Sequence, residues 1–128
     1  MANSLVNLAI VLRAQGKLDE AETIYRELVE REDALALNDL AWSLATSADA
    51  KARDGQQAVT FAETAVATTG RTNTMYLETL AAAYAEVGQF TNTIRVQQEA
   101  INLLKTEREK KDYETRLKLY QSGSPVRE

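Results

Sequence analysis

Small and apolar residues recur at helical spacing along most of the chain. In three places a Leu-Ala pair is followed, three residues after the alanine, by a larger apolar residue. This spacing places the residues on one face of an α-helix. A second helical stretch follows each of them, so the sequence predicts a helix hairpin that is repeated three times. The first-helix sets are Leu8-Ala9 with Leu12, Leu40-Ala41 with Leu44 and Leu80-Ala81 with Tyr84; the second-helix sets are Ala21, Tyr25 and Leu28, then Ala58, Ala62 and Ala65, then Thr93, Gln97 and Ala100.

Turn-forming residues lie between the two helices of each predicted hairpin. Gly16 and Gly88 stand where the first and third hairpins must turn, and glycine favours the positive φ that often ends a helix. In the second hairpin, Asp54 and Gln57 have the spacing of a capping box. Asp54 would cap the helix, and the Gln57 side chain would reach back to the Asp54 N–H.

The second hairpin is longer than the first. The distance from Ala41 to Ala58 is 17 residues, against 12 from Ala9 to Ala21, so about five extra residues lie around positions 47–53. The insertion has two interpretations. It could be a recognition loop, as insertions in repeats often are, or a surface loop whose extra length costs little entropy. We favour the second.

A polar segment follows the third hairpin. Tyr113, Leu117 and Tyr120 have i, i+4, i+7 spacing, which predicts one amphipathic helix between about 105 and 121. Thr106 and Glu109 have capping-box spacing, which suggests a helix break near residue 105; the alternative is one long helix from Phe90. Repeat arrays need such a cap over the apolar side of their last hairpin.

Two strings carry a family resemblance. Leu8-Ala9 with the run 15–25 (QGKLDEAETIY), and the run 80–84 (LAAAY) with 87–90 (VGQF), resemble the tetratricopeptide repeat, a motif of about 34 residues that forms two antiparallel helices. The resemblance implies an all-α, right-handed α-solenoid of three helix-turn-helix repeats and a C-terminal capping helix. It implies a single domain, 1–128, with repeats at 2–33, 34–70 and 72–104 and a cap and tail at 105–128. The runs 40–47 and 116–120 resemble the terminal repeats of larger bacterial members.

Composition argues against an enzyme. The 128 residues include no cysteine and no histidine, so thiolate chemistry and the commonest general base are absent. The five glycines are isolated and form no phosphate-binding loop. We therefore predict no catalysis, no cofactor and no metal site.

Charge and hydropathy restrict the partners. Residues 1–104 carry 8 basic and 14 acidic residues, while 105–128 carry 7 and 5. An acidic body without a basic stripe argues against nucleic acid. No apolar run approaches the ~18 residues of a membrane span, and the first residues lack the positive flank of a signal peptide. The expectation is a soluble cytoplasmic protein without a membrane partner.

The resemblance also implies a site. In tetratricopeptide arrays the first helices of successive repeats line a concave groove that takes a peptide. Alignment with the family places the following residues in that groove: Asn3, Val6, Asn7, Ile10 and Arg13 from repeat one; Asn38, Asp39, Trp42 and Thr46 from repeat two; and Met75, Glu78, Thr79, Ala82 and Glu86 from repeat three.

The groove residues favour some ligands over others. Asn7 matches an asparagine with which chaperone-binding members grip a C-terminal carboxylate, but Asp39 replaces the second asparagine and 72–86 contains no lysine or arginine. A carboxylate clamp without cations would repel its ligand. Asp39, Glu78 and Glu86 instead favour a neutral or basic peptide, unless they only form a solvated face. Trp42 is either a binding anchor or a packing residue.

Two functions remain open. The first is a non-catalytic protein-interaction module that binds a peptide or partner segment in the groove. The second is a structural or assembly element, which would self-associate or dock to another domain through an uncapped first repeat with Leu5, Leu8 and Leu12 partly uncovered. A monomer or a weak homodimer is expected.

Overall fold

The chain forms a helical-repeat solenoid. The computed structural model describes residues 2–127, with side chains from residue 4 onward. This part of the chain contains seven α-helices and no strand. The helices are α1 (Ala2–Ala14), α2 (Leu18–Glu30), α3 (Ala34–Thr46), α4 (Gly55–Thr68), α5 (Thr74–Glu86), α6 (Phe90–Leu103) and α7 (Glu107–Gln121), with a short 3-10 turn at Ala50–Ala52 between α3 and α4.

Consecutive helices pack as three hairpins, α1/α2, α3/α4 and α5/α6, and α7 packs on the third. The first helices also contact one another, α1 with α3 and α3 with α5. The alanines of the three Leu-Ala pairs, Ala9, Ala41 and Ala81, are completely buried at these contacts. Side chains without bulk let helix backbones approach closely. The predicted all-α solenoid is confirmed.

Local capping explains where most of the helices begin. Asp33, Asp54 and Asn73 accept hydrogen bonds from backbone N–H groups three residues later, at the starts of α3, α4 and α5. Thr106 caps α7 in the same way and separates it from α6, as predicted. Gly16 and Gly88 have φ values of 81° and 80° in the turns of the first and third hairpins. Side-chain caps and glycine turns therefore define the hairpins.

Only one of the two hydrogen bonds of the capping box at Asp54 forms. Its carboxylate accepts from the Gln57 N–H at 3.2 Å, as predicted. The Gln57 side chain does not reach back; it donates to Glu22 Oε1 on α2 at 2.6 Å. The Asp54 N–H donates instead to the carbonyl of Leu44 at 2.8 Å. Glu22 from the first hairpin has replaced Asp54 as the partner of the Gln57 side chain, and Leu44 on α3 has replaced Gln57 as the acceptor for the Asp54 N–H.

The insertion before α4 is part of the packing between repeats. Ala52 is buried at 3% exposure, and the 3-10 turn lies against α1. Arg13 pairs with Asp54 at 3.2 Å, and Arg53 pairs with Glu86 at 3.3 Å. The segment therefore connects the ends of α1 and α5 through ion pairs, although residues 48–51 remain exposed.

Candidate partner-binding groove

The first helices of the three hairpins and α7 line a cavity of about 450 Å³. Eight of the residues that the sequence assigned to the groove lie together here. Ser43 and Arg116 were not predicted. The full lining is Val6 and Asn7 from α1, Asn38, Asp39, Trp42 and Ser43 from α3, Met75, Glu78 and Thr79 from α5, and Arg116 from α7.

Helical spacing explains why these side chains share a surface. On α3 the lining residues follow the order i, i+1, i+4, i+5 from Asn38 to Ser43, and on α5 they follow i, i+3, i+4 from Met75 to Thr79. Residues at these spacings lie above one another on one helix face. Because α1, α3 and α5 are neighbours, their lining faces form one continuous surface.

Helix α7 contributes a cation to the groove. Arg116 Nη1 lies 2.5 Å from Glu78 Oε2. Its guanidinium carbon also lies 5.9 Å from the centroid of the Trp42 ring, within cation–π range. Glu78 is only 8% exposed and also receives a 3.4 Å contact from Gln97 Nε2 on α6. Glu78 therefore joins α5, α6 and α7 at one end of the groove.

The spacing of residues along α7 contains a signal for Arg116. Arg116 follows Tyr113 by three residues and precedes Tyr120 by four, so it lies on the apolar face of α7. Tyr120 is completely buried on that face. A single arginine among buried aromatic residues indicates an ion pair with the body of the protein, not a solvated surface.

Comparison with known proteins supports the assignment of a helical repeat at the first hairpin. The sequence model of a family described as "Tetratricopeptide repeat" matches residues 1–31, which form α1 and α2. No curated protein matches the chain. The match supports a tetratricopeptide repeat in the first hairpin.

Several residues that the tetratricopeptide alignment placed in the groove lie elsewhere. Arg13 and Glu86 are engaged in the ion pairs of the insertion, and Glu86 also pairs with Arg127 at 2.7 Å. Thr46 is completely buried, and its hydroxyl donates to the Trp42 carbonyl at 2.7 Å. Ile10 packs partly buried against the core.

These four residues lie in the second half of a first helix, towards the end where the insertion or the C-terminal tail packs. That packing covers a part of the surface that the alignment with the family had assigned to the groove. Ala82, which the alignment also included, is buried at 1% exposure. The Asn3 side chain lies outside the described residues.

Asp39 differs from Glu78, the other carboxylate of the groove. Glu78 is paired with Arg116, whereas Asp39 has no ion pair among residues 2–127. Partial burial raises the pKa of Asp39; a hydrogen bond with the Asn38 side chain acts in the opposite direction, and the nearby charge of Asp33 adds to the rise. The groove thus contains one neutralised carboxylate and one carboxylate without a counter-ion.

The Asn38 side chain hydrogen-bonds to Asp39, and its own Oδ1 atom has no donor. It is 5% exposed, and its Oδ1 atom is buried without a hydrogen-bond partner. An unpaired buried acceptor costs about 1–3 kcal/mol. The α3 wall of the groove therefore carries one carboxylate without a counter-ion and one amide oxygen without a donor.

Other classes of site have little support in the described residues. Residues 2–127 contain no group of three His, Cys, Asp or Glu side chains that could hold a metal ion. The described part of the chain also has no helix long and apolar enough to cross a membrane.

Proposed function

We propose that this tetratricopeptide array is a non-catalytic module that binds a peptide, or an extended segment of a partner protein, in the groove formed by α1, α3, α5 and α7. The single observation that carries the proposal is the 450 Å³ cavity, to which every first helix contributes. A surface built by all three repeats suits an elongated ligand that crosses them in turn.

The lining has the composition of a peptide-binding surface. Asn7 and Ser43 offer polar groups to a peptide backbone, and Trp42 offers a large rigid anchor. Met75 is 58% exposed, and its flexible side chain can adapt to an apolar ligand residue. Backbone hydrogen bonds and one or two apolar contacts are the usual basis of peptide affinity.

A neutral or basic ligand remains our preference, and nucleic acid is not expected. Of the three carboxylates on which the sequence argument rested, Glu78 and Glu86 are paired with arginines. The preference therefore depends on Asp39 alone. A single domain with three repeats, as assigned from the sequence, and a cytoplasmic location remain predictions.

The test is to block the groove without removing any contact in it. Ser43 lies in the lining, and replacement by arginine would fill the cavity. Thr64→Arg is the matched control, because Thr64 is an exposed hydroxyl residue of α4, outside the groove. The probe is a library of N-acetylated, C-amidated ten-residue peptides, measured by fluorescence polarisation.

We expect Ser43→Arg to reduce binding of the selected peptides at least tenfold and Thr64→Arg to leave it within twofold. If both variants bind like the unmodified protein, or if no peptide binds at all, the groove is not the working surface.

One observation favours the second candidate, a role in assembly. Leu8 and Val11 on α1 are 48% and 49% exposed, and Leu18 at the start of α2 is 49% exposed. Exposed apolar patches often mark association sites. In that case Leu8→Lys should convert a dimer to a monomer in light scattering. A mass that is monomeric at all concentrations would remove this candidate.

A further inference from the structure

The groove of the proposed function, on which this inference rests, already binds one cation from its own chain. Arg116 lies between a carboxylate and an indole ring, 2.5 Å from Glu78 Oε2 and 5.9 Å from the Trp42 centroid. This arrangement shows which chemistry the wall of the groove accommodates: a guanidinium that is paired with an acid and lies within cation–π distance of tryptophan.

A second acid stands beside the same tryptophan without a cation. Asp39 precedes Trp42 by three residues on α3, so the two side chains share a helix face, and both line the cavity. We propose that Asp39, Trp42 and Asn38 form a subsite for one basic side chain, arginine or lysine, of the partner peptide.

Asn38 provides independent support for this subsite. It lines the cavity, is 95% buried and carries an Oδ1 atom without a donor. A guanidinium has five N–H groups in a planar fork, so it can serve the Asp39 carboxylate and a neighbouring amide oxygen together. A donor-rich ligand therefore supplies the counter-ion that Asp39 lacks, and a rotation of the buried Asn38 amide would let the same ligand donate to its Oδ1 atom.

Arg116 is a positioning residue for this recognition. It neutralises Glu78, so the unpaired negative charge of the groove is concentrated at Asp39. It also repels a second cation from the α7 end. The ligand's basic residue is thus directed to the side of Trp42 on which Asp39 lies.

The experiment uses small probes and the only tryptophan of the chain. The probe is N-acetyl-arginine N-methylamide, and its matched analogues contain citrulline, which is neutral with nearly the same shape, or glutamate. Trp42 is the single tryptophan, so its indole N–H gives one unambiguous NMR cross-peak. Each probe is titrated to millimolar concentration against the full chain.

We expect the arginine probe to shift the Trp42 cross-peak with saturation, and citrulline to bind at least fivefold more weakly. Asp39→Asn should weaken arginine binding by roughly fivefold to tenfold, the order of one charge-assisted hydrogen bond. The control Asp19→Asn makes the same chemical change at an exposed position of α2 and should leave binding unchanged.

Thermal stability distinguishes a loss of binding in Asp39→Asn from a folding defect. Because the folded pKa of Asp39 is raised, its ionisation disfavours the folded state as pH rises through that pKa. Asp39→Asn should therefore have an unchanged or higher Tm at pH 7, with a difference that disappears at strongly acid pH. Weaker binding with undiminished stability is the signature that a merely structural residue would not give.

Three outcomes would overturn the inference. The citrulline probe could bind as well as arginine, Asp39→Asn could have no effect, or the glutamate probe could bind best and lose its affinity in Arg116→Gln. If library peptides bind and Ser43→Arg blocks them, the peptide-binding function stands without the basic subsite. If neither the library peptides nor the arginine probe binds, the peptide-binding function and the basic subsite both fail.

Discussion

The first and third hairpins place the same sequence pair in different surroundings. The alanines Ala9 and Ala81 are both completely buried. The leucines beside them differ: Leu8 is 48% exposed, whereas Leu80 is 2% exposed. Helix α5 packs against α3, α4 and α6, while α1 packs against α2, α3 and the 3-10 turn. The alanine is buried in both hairpins, whereas the leucine is buried only in the hairpin that has another hairpin before it.

The largest effect should come from truncating the buried leucines. Leu80→Ala, and Leu40→Ala at the completely buried equivalent in α3, should each lower the free energy of unfolding by about 2–5 kcal/mol. Leu8→Ala removes the same atoms from a half-exposed site and should cost less than about 1 kcal/mol. Urea unfolding followed by circular dichroism measures all three.

Equal losses at the three positions would contradict the comparison. They would show that Leu8 is covered in solution, which would agree with association through α1. Repeating the Leu8→Ala measurement at a tenfold higher protein concentration distinguishes association through α1 from burial within a single chain. Only association makes stability depend on concentration.

The hairpins could be predicted from the sequence because their determinants are local. Periodic alanines, glycines at turns and a capping Asp54 each act within a few residues. Thr93 shows both kinds of contact: its hydroxyl lies 3.2 Å from the Gln89 carbonyl one turn earlier, a bond that threonine can make inside a helix. It also donates to the Ala81 carbonyl on α5 at 3.0 Å, a contact between helices that no local rule indicates.

The groove was only partly predictable for the same reason. The middle of each first helix lies where the repeat alignment placed it, so Asn38, Asp39 and Trp42 share one cavity. The ends are different, because segments outside the repeat motif pack there. Arg53 from the insertion and Arg127 from the tail both pair with Glu86. Arg116 enters from α7, whose position relative to α3 depends on the packing of every helix between them.

A smaller and more uniform effect is expected at the glycine turns. Gly16 and Gly88 have nearly equal positive φ values, and a Cβ added at either would meet no atom within 4 Å. Only backbone strain then opposes Gly16→Ala and Gly88→Ala, so each should cost about 1 kcal/mol. The measurement is the urea midpoint of the two variants.

Such equality would sharpen the comparison, because it would show that the hairpins differ in burial and not in local backbone terms. A loss at Gly88 that is several times the loss at Gly16 would instead mean that burial also magnifies backbone strain.

The smallest effects concern the turns between hairpins, where residues other than glycine adopt positive φ. Glu32 has φ 53° between α2 and α3, and Arg71 has φ 62° between α4 and α5. Glu32→Gly should relieve strain and stabilise the fold by about 0.5–1 kcal/mol. Arg71→Gly relieves similar strain but loses two hydrogen bonds to Glu99, at 2.7 and 2.6 Å. The gain at Arg71 should therefore be smaller at neutral pH.

The pH dependence distinguishes these two contributions at Arg71. Hydrogen bonding to Arg71 lowers the pKa of Glu99, so the pair stabilises the fold above the ordinary pKa of the acid. This contribution is lost as pH falls through the lowered value. Arg71→Gly should consequently gain stability relative to the unmodified protein as the solution is acidified, while Glu32→Gly should not change its advantage through this pair. Thermal melts between neutral and strongly acid pH measure the stability of both variants. Parallel curves for Arg71→Gly and the unmodified protein would show that the ion pair contributes nothing to the turn between α4 and α5.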